Sequence, residues 1–374
     1  MLKTYTYPKF AYVQPEEQKN RTAARYPVVI IGAGPVGLAA AIDCRLHGIP
    51  VVLLDEDDTV SIGSRGVCYA KRALEILDRL GVGERVFDKG VSWNVGRTFF
   101  REEEVFNFNL LPEADHKRPG MINLQQYYLE QYLVERCVEL GVDMRWKNRV
   151  VSVQRMSDQV RLTIETPDGP YRLHARFVVA CDGSYSMARH LLGLPFEGPV
   201  YDEVYLQADA QVRWPGEFPP DEIRAYLGDH GALLCMPTGE PDVLRLQAPL
   251  PAVSDIEPNL ETFRRVLAER GPAGAEIEGL GWSVAFPVGR RLMQRFRVDR
   301  VLFAGDAAHQ QSPASAQGMN LGIQDAHNLA WKLAMVVRGQ AGDKLLDSYE
   351  VERRPVAYRN VRWALFAFSN AQLT

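Results

Sequence analysis

The 374-residue chain is short of several things, and each shortage removes a class of protein. It has five cysteines, Cys44, Cys68, Cys137, Cys181 and Cys235, an odd number without a C-x-x-C pair. A disulfide scaffold, a zinc ribbon and a dithiol redox pair are therefore not expected, and a reducing cytoplasmic setting fits. None of its seven histidines has ligand spacing, so no metal is expected. Lysine and arginine form no block, and the net charge is −4, which argues against a nucleic-acid partner. Long apolar runs are also missing. The longest, Val28 to Ile42, is about 15 residues and is interrupted by Gly and Pro, so no membrane span is expected. No repeat or low-complexity tract is present.

What remains is the composition of an ordinary globular chain, long enough for about two domains. Residues 1–26 lack periodicity and read as an extended arm. Val28-Val29-Ile30-Ile31 reads as a buried strand, Leu38–His47 as a helix stopped by Gly48, and Val51–Leu54 as a second buried strand. Between the first strand and the helix lies Gly32-x-Gly34-x-x-Gly37. Gly32 suits a tight turn, Gly34 lets a pyrophosphate approach the backbone, and Gly37 permits close helix–strand contact. Asp55 ends the second strand, where a carboxylate can take ribose hydroxyls.

Helical spacing covers Lys71–Leu80, Leu124–Leu140, Leu260–Arg270, Gln317–Arg338 and Lys344–Phe368, with a kink expected at Pro355. Strands are expected at Val150–Val153, Val160–Glu165, Tyr171–Leu173 and Phe177–Ala180, with a hairpin turn at Asp168-Gly169. Residues 97–108 and 200–290 are strand-like. The run Arg101 to Glu104 reads as a solvated turn.

Two further motifs follow. Ala180-Cys181-Asp182-Gly183 leads into a helix start at Ser186, with Arg189 three residues on. Taken alone, this segment reads equally well as a plain hairpin or helix cap. Val301 to Phe303 then runs into Gly305-Asp306 and, after a loop, into Gly318-Met319-Asn320 at the start of a long helix. An aspartate there can accept hydrogen bonds from a polyol, and the helix N-terminus favours negative charge on a group placed before it.

These three motifs, in this order, resemble the FAD-dependent aromatic hydroxylases of the para-hydroxybenzoate hydroxylase type, most closely the phenol and hydroxyphenylpropionate hydroxylase branch. The resemblance runs from Val28 to about Arg359. It implies an α/β fold, with a Rossmann-like FAD-binding domain (27–95, 116–198 and 285–374) interwoven with a smaller sheet-based substrate domain (96–115 and 199–284). It implies non-covalent FAD, NADH or NADPH as co-substrate, and hydroxylation of a small aromatic, phenolic substrate through a flavin hydroperoxide. A homodimer is compatible with it. Carried over by residue, Gly32, Gly34 and Gly37 resemble the pyrophosphate turn, and Asp55 the ribose carboxylate. Arg65 resembles an arginine contacting the cofactor. Gln126 resembles the glutamine near the ribityl chain, with Gln125 as the alternative register. Asp182-Gly183, braced by Arg189, resembles the motif linked to FAD and the nicotinamide donor. Asp306 resembles the ribityl aspartate. Pro313, Gly318, Met319 and Asn320 resemble the loop along the isoalloxazine.

The chain departs from the family pattern at Ser315, which stands where the flavin-side glycine is usual. Less backbone freedom and a wetter site there imply loss of reducing equivalents as hydrogen peroxide. Pro313 and Ser315 are thus the flavin-face positions tied to catalysis. No side-chain base is assigned: Tyr226 and His230 lie in a suitable region but are equally explained by packing, and His309 reads as a loop histidine bonded to nearby backbone. Longer members of the branch continue into a further C-terminal domain, so the chain reads as a short or truncated form. Only one G-x-G-x-x-G is present and the Trp-x-Trp-x-Ile-Pro signature is absent, which argues against flavin disulfide reductases and flavin halogenases. The alternatives are a tailoring oxygenase or epoxidase of a polycyclic substrate, and an uncoupled or non-catalytic FAD-binding protein.

Overall fold

A computed structural model of the chain describes residues 5–64, 66–250, 256–313 and 316–369. The unbroken apolar strands of the sequence become the centre of a sheet covered on both faces, the arrangement that such runs require. Five strands run parallel in the order Val301–Phe303, Gly169–Ala180, Ala24–Ile31, Val51–Leu54 and Asp143–Arg145. Helix Pro35–Leu46 connects the third and fourth of these as a βαβ unit and packs against the long helix Gly318–Val337.

The two strands expected at Tyr171–Leu173 and Phe177–Ala180 are one strand, Gly169–Ala180. Its first half alternates in burial beside Val160–Thr166, and its last four residues are wholly buried between parallel neighbours. The change of pattern therefore marks entry into the sheet centre rather than a break. The arm is not wholly extended either. Glu16–Lys19 forms one helical turn, and the first strand already begins at Ala24. Glu17 is buried there against Arg145 and the Tyr26 hydroxyl, a pairing of distant residues that local sequence does not reveal.

A second, seven-stranded sheet takes its strands from 95–109 and 200–289. Its order is Glu276–Gly289, Val200–Arg213, Val243–Leu250, Gly231–Pro237, Glu222–Gly228, Val95–Phe100 and Glu103–Asn109. Helix Leu260–Arg270, capped by the Asn259 side chain accepting from Thr262 N at 3.0 Å, seals one face through Phe263, Val266 and Leu267. The other face looks toward the glycine turn. The expected α/β class and paired sheets are what the chain adopts.

Candidate active site

One cleft of about 720 Å³ runs from the glycine turn to the open face of the second sheet. At one end, Gly32 takes φ +100°, and a Cβ there would lie 2.5 Å from the Cys181 carbonyl oxygen. A Cβ on Gly37 would lie 1.9 Å from the Gly32 carbonyl oxygen, so turn, helix and neighbouring strand end touch backbone to backbone. Gly34 sits at the N-cap with no atom within 4 Å of where its Cβ would be. The result is a cradle of backbone N–H groups at a helix N-terminus, the setting that favours a phosphate.

Side chains tie this cradle together. The Asp55 carboxylate lines the cleft and accepts from the Ala33 and Asp57 backbone N–H groups, the latter at 2.8 Å. Asp182 accepts from Ser186 Oγ at 2.6 Å and Ala188 N at 2.9 Å, so the helix-cap reading of this segment also holds. Arg189 donates to the carbonyls of Ser184 and Ala307, each at 2.8 Å, which fastens the Asp182-Gly183 turn to the Asp306 turn. Asp306 is exposed to the cleft and accepts from Ser184 Oγ at 2.9 Å. Burial pushes the carboxyls of Asp55, Asp182 and Glu130 above their ordinary range, against the hydrogen bonds they accept.

Gln126 lines the cleft. It accepts from Gly66 N at 3.2 Å and donates to Glu130 Oε1 at 2.8 Å, and Glu130 in turn holds Ser61. This network grips the segment on either side of Arg65, which itself lies outside the described residues. Gln125, the alternative register, is buried and does not line the cleft. Pro313, Gly318 and Met319 line it. Asn320 does not. Its amide accepts from Ala70 N and donates to the carbonyls of Cys68 and Ala316, bracing the loop from behind. Ser315 lies outside the described residues, but its neighbour Ala316 holds φ +50°, a left-handed conformation costly for a residue with a Cβ.

His309 is buried and turned away from the cleft. Its Nε2 lies 2.6 Å from Asp325 Oδ2, and Arg353 Nε donates to Asp325 Oδ1 at 2.7 Å. Its partner is a helix carboxylate rather than the loop backbone expected. Tyr226 stacks on Phe99 at 5.1 Å in the core beneath the second sheet, and His230 is exposed at a hairpin tip; neither lines the cleft.

Sequence reasoning missed the groups at the far end: Trp93, Gln207, Ile223, Met236, Gln247 and Phe286. The two-residue alternation of their strands was the only available signal. It does not say which face meets the cleft. It also missed Gln311, whose side-chain Oε1 and Nε2 are buried, have no hydrogen-bond partner among the described residues and lie by Gly318. An open phosphate cradle at one end and an unsatisfied amide near the helix N-terminus fit a dinucleotide carrying a polar ring, as FAD does.

The FAD binding domain model matches residues 25–364. The chain belongs to this FAD-binding family. The flavoprotein is 35% identical over 338 residues to a rifampicin monooxygenase of Streptomyces venezuelae, covering 89% of this chain and 69% of that relative. It is 33% identical over 353 residues to the 12-dehydrotetracycline 5-monooxygenase/anhydrotetracycline 6-monooxygenase of Streptomyces rimosus, covering 90% and 69%. The crystal structure of a p-nitrophenol 4-monooxygenase from Pseudomonas putida superposes with a TM-score of 0.81 at 26% identity, covering 92% of this chain and 89% of that one. The flavoprotein is accordingly a FAD-dependent monooxygenase that uses NADH or NADPH and O2, as its family does. Among the described residues no helix is long and apolar enough to cross a membrane, and no cluster of metal-ligating side chains occurs.

Proposed function

We propose that the flavoprotein hydroxylates an aromatic, phenolic substrate held between the flavin and the open face of the second sheet. The observation that carries this reading is the continuity of the cleft: a phosphate cradle at one end and an apolar chamber with Trp93 and Phe286 at the other. In this reading Gly32, Gly34 and Gly37 form the pyrophosphate turn, and Asp55 takes the adenosine ribose. Asp306 and Gln126 hold the ribityl side, Asp182-Gly183 serves FAD and the nicotinamide donor, and Pro313, Gly318 and Met319 lie along the ring. Asn320 positions that loop from behind, while Arg65 and Ser315 complete the assignment by resemblance. Bound FAD supplies the redox and oxygen chemistry. The protein contributes position, a helix N-terminus that favours negative charge on the ring, and apolar walls that exclude water.

A second reading, a tailoring oxygenase of a polycyclic substrate, is supported by the relatives named for rifampicin and anhydrotetracycline. One experiment separates the two: NAD(P)H oxidation by the FAD-loaded protein against phenols and polycyclic aromatics, with mass-spectrometric detection of oxygenated product. Oxygenation confined to phenols supports the first reading and oxygenation confined to polycyclics the second. Bound FAD with no product from either panel would leave an uncoupled FAD-binding protein and refute both.

A further inference from the structure

The stretch from Asp55 to Gly66 forms one wall of the cleft, through Asp55, Glu56, Asp57, Thr59, Ser61 and Gly66. No strand or helix occurs among its described residues, so its position depends on what holds it from outside. Helix Gln126–Glu139 supplies one set of holds. Glu130 accepts from Ser61, Gln126 accepts from Gly66 N, and Ser64 Oγ accepts from Gln126 N at 2.8 Å.

The N-terminal arm supplies a second set. Phe10 N donates to the Asp58 carbonyl at 2.8 Å, and Lys9 pairs with the Asp58 carboxylate at 2.7 Å. Tyr7 Oη accepts from Gly63 N at 2.9 Å. Tyr5 stacks on Tyr127 with ring centroids 4.2 Å apart and donates to Gln131 Oε1 at 2.7 Å, which fastens the arm to the helix that holds the same loop. These arm residues precede the stretch, 25–364, that matches the family model.

Gly63 is the point at which arm, loop and second sheet meet. It is buried, holds φ +78°, and a Cβ on it would lie 1.8 Å from Trp282 Nε1. The loop therefore rests directly on the Trp282 indole. That indole is itself held, with the Arg245 guanidinium 5.4 Å from its ring centre and Arg245 Nε donating to Asp209 Oδ1 at 2.6 Å. A buried N–H without an acceptor is costly, and the Tyr7 hydroxyl supplies the acceptor for Gly63. Water could replace that hydroxyl only if the loop moved away. The bond thus favours the seated loop over a displaced one.

We propose that Tyr7 is a positioning residue for FAD: its hydroxyl latches the loop around Gly63 onto Trp282, and FAD leaves the cleft only when this latch opens. The Tyr7 side chain meets Gly63, Tyr5 and Tyr127 and does not line the cleft, so it acts through the loop and not on the cofactor itself. Linkage makes the relation reciprocal. If a docked arm favours bound FAD, bound FAD favours a docked arm by the same factor. The inference concerns cofactor retention and holds whichever substrate the cleft takes.

The test compares the FAD-loaded native chain with Tyr7→Phe and, as a control, Tyr12→Phe. Phenylalanine at position 7 keeps a ring against Tyr5 and Tyr127 and removes only the acceptor. Tyr12 donates to Gln18 Oε1 at 2.9 Å and lies 3.1 Å from Thr166 Oγ1, so its variant removes an arm hydroxyl away from the loop. Release is read as the rise of free-flavin fluorescence on dilution, without turnover. Tyr7→Phe should release FAD about tenfold faster, the effect of one buried N–H left without its acceptor, and Tyr12→Phe at the native rate. A native rate in Tyr7→Phe, or an equal acceleration in Tyr12→Phe, would overturn the proposal. The native protein gives an independent check through peptide-resolved hydrogen exchange. When FAD is removed, exchange should rise in residues 5–10 together with residues 59–66. A rise in the loop with the arm unchanged would overturn the latch, whatever the fate of the variants.

Discussion

The two ends of the cleft are built on different principles. The cradle is made of backbone: Gly32 and Gly37 are required because a Cβ at either would strike a carbonyl, and the space above Gly34 is open. The chamber is made of side chains, most of them from the seven-stranded sheet and joined by Trp93 from the separate strand Val91–Trp93. Backbone sites tolerate few residues and give fixed motifs. A sheet face accepts many residues of suitable size, so its chemistry can change while the fold persists. The comparison implies that lesions at one end should remove cofactor binding without touching substrate preference, and that lesions at the other should do the reverse.

The largest effect should come from beneath the cradle. Asp325 accepts from Gly305 N at 3.2 Å and joins His309 to Arg353. Burial alone would raise its carboxyl, but His309 and Arg353 together hold it below the ordinary range. Its folded pKa is therefore depressed, and its stabilisation is complete above the unfolded value of about 3.9 and lost as pH falls through the folded one. Asp325→Asn should cost about 3 kcal/mol at neutral pH, by analogy with other broken buried pairs. Denaturant melts at pH 7 and below pH ~4 check both parts; a gap between native protein and variant that does not shrink in acid contradicts this account.

Next in size is Gly34→Val. The position has ordinary φ and open space, so the protein should fold, while FAD affinity falls by about two orders of magnitude because the side chain occupies the phosphate's approach. Fluorescence titration of the apoprotein with FAD, alongside a thermal melt, separates a blocked cradle from a damaged fold. At the other end, Phe286→Ala should weaken substrate binding about tenfold and leave FAD affinity unchanged. If FAD affinity drops equally, the two ends are not independent.

The smallest effect concerns the loop joining the two ends. Ala316 at φ +50° is strained, and Ala316→Gly should relieve about 0.5 kcal/mol after the added flexibility of the unfolded chain is counted. A melting point raised slightly, together with a higher ratio of product to NAD(P)H consumed, is the expected outcome. A lowered melting point would show that the loop gains nothing from glycine.

Much was legible beforehand because it is local. The strands Val28–Ile31 and Val51–Leu54, the helices Lys71–Leu80 and Leu260–Arg270, and the glycine turn follow from periodicity and from residues that only one backbone geometry accepts. Even there, Asp182 and Asp55 proved to be structural braces as well as cleft residues, because hydrogen bonds to backbone depend on how loops meet.

By itself, the sequence determined the parallel sheet, the phosphate turn and the order of the motifs. Each is set by steric limits on a few consecutive residues, or by a hydrophobic period that one register alone can bury. The tertiary structure decided the rest. It placed Gln207 opposite Gln247 on the cleft face, turned His309 onto Asp325 and away from the cleft, and left Tyr226 in a core. Those outcomes depend on how the sheets and helices pack, and an alternating pattern reads the same from either side of a sheet.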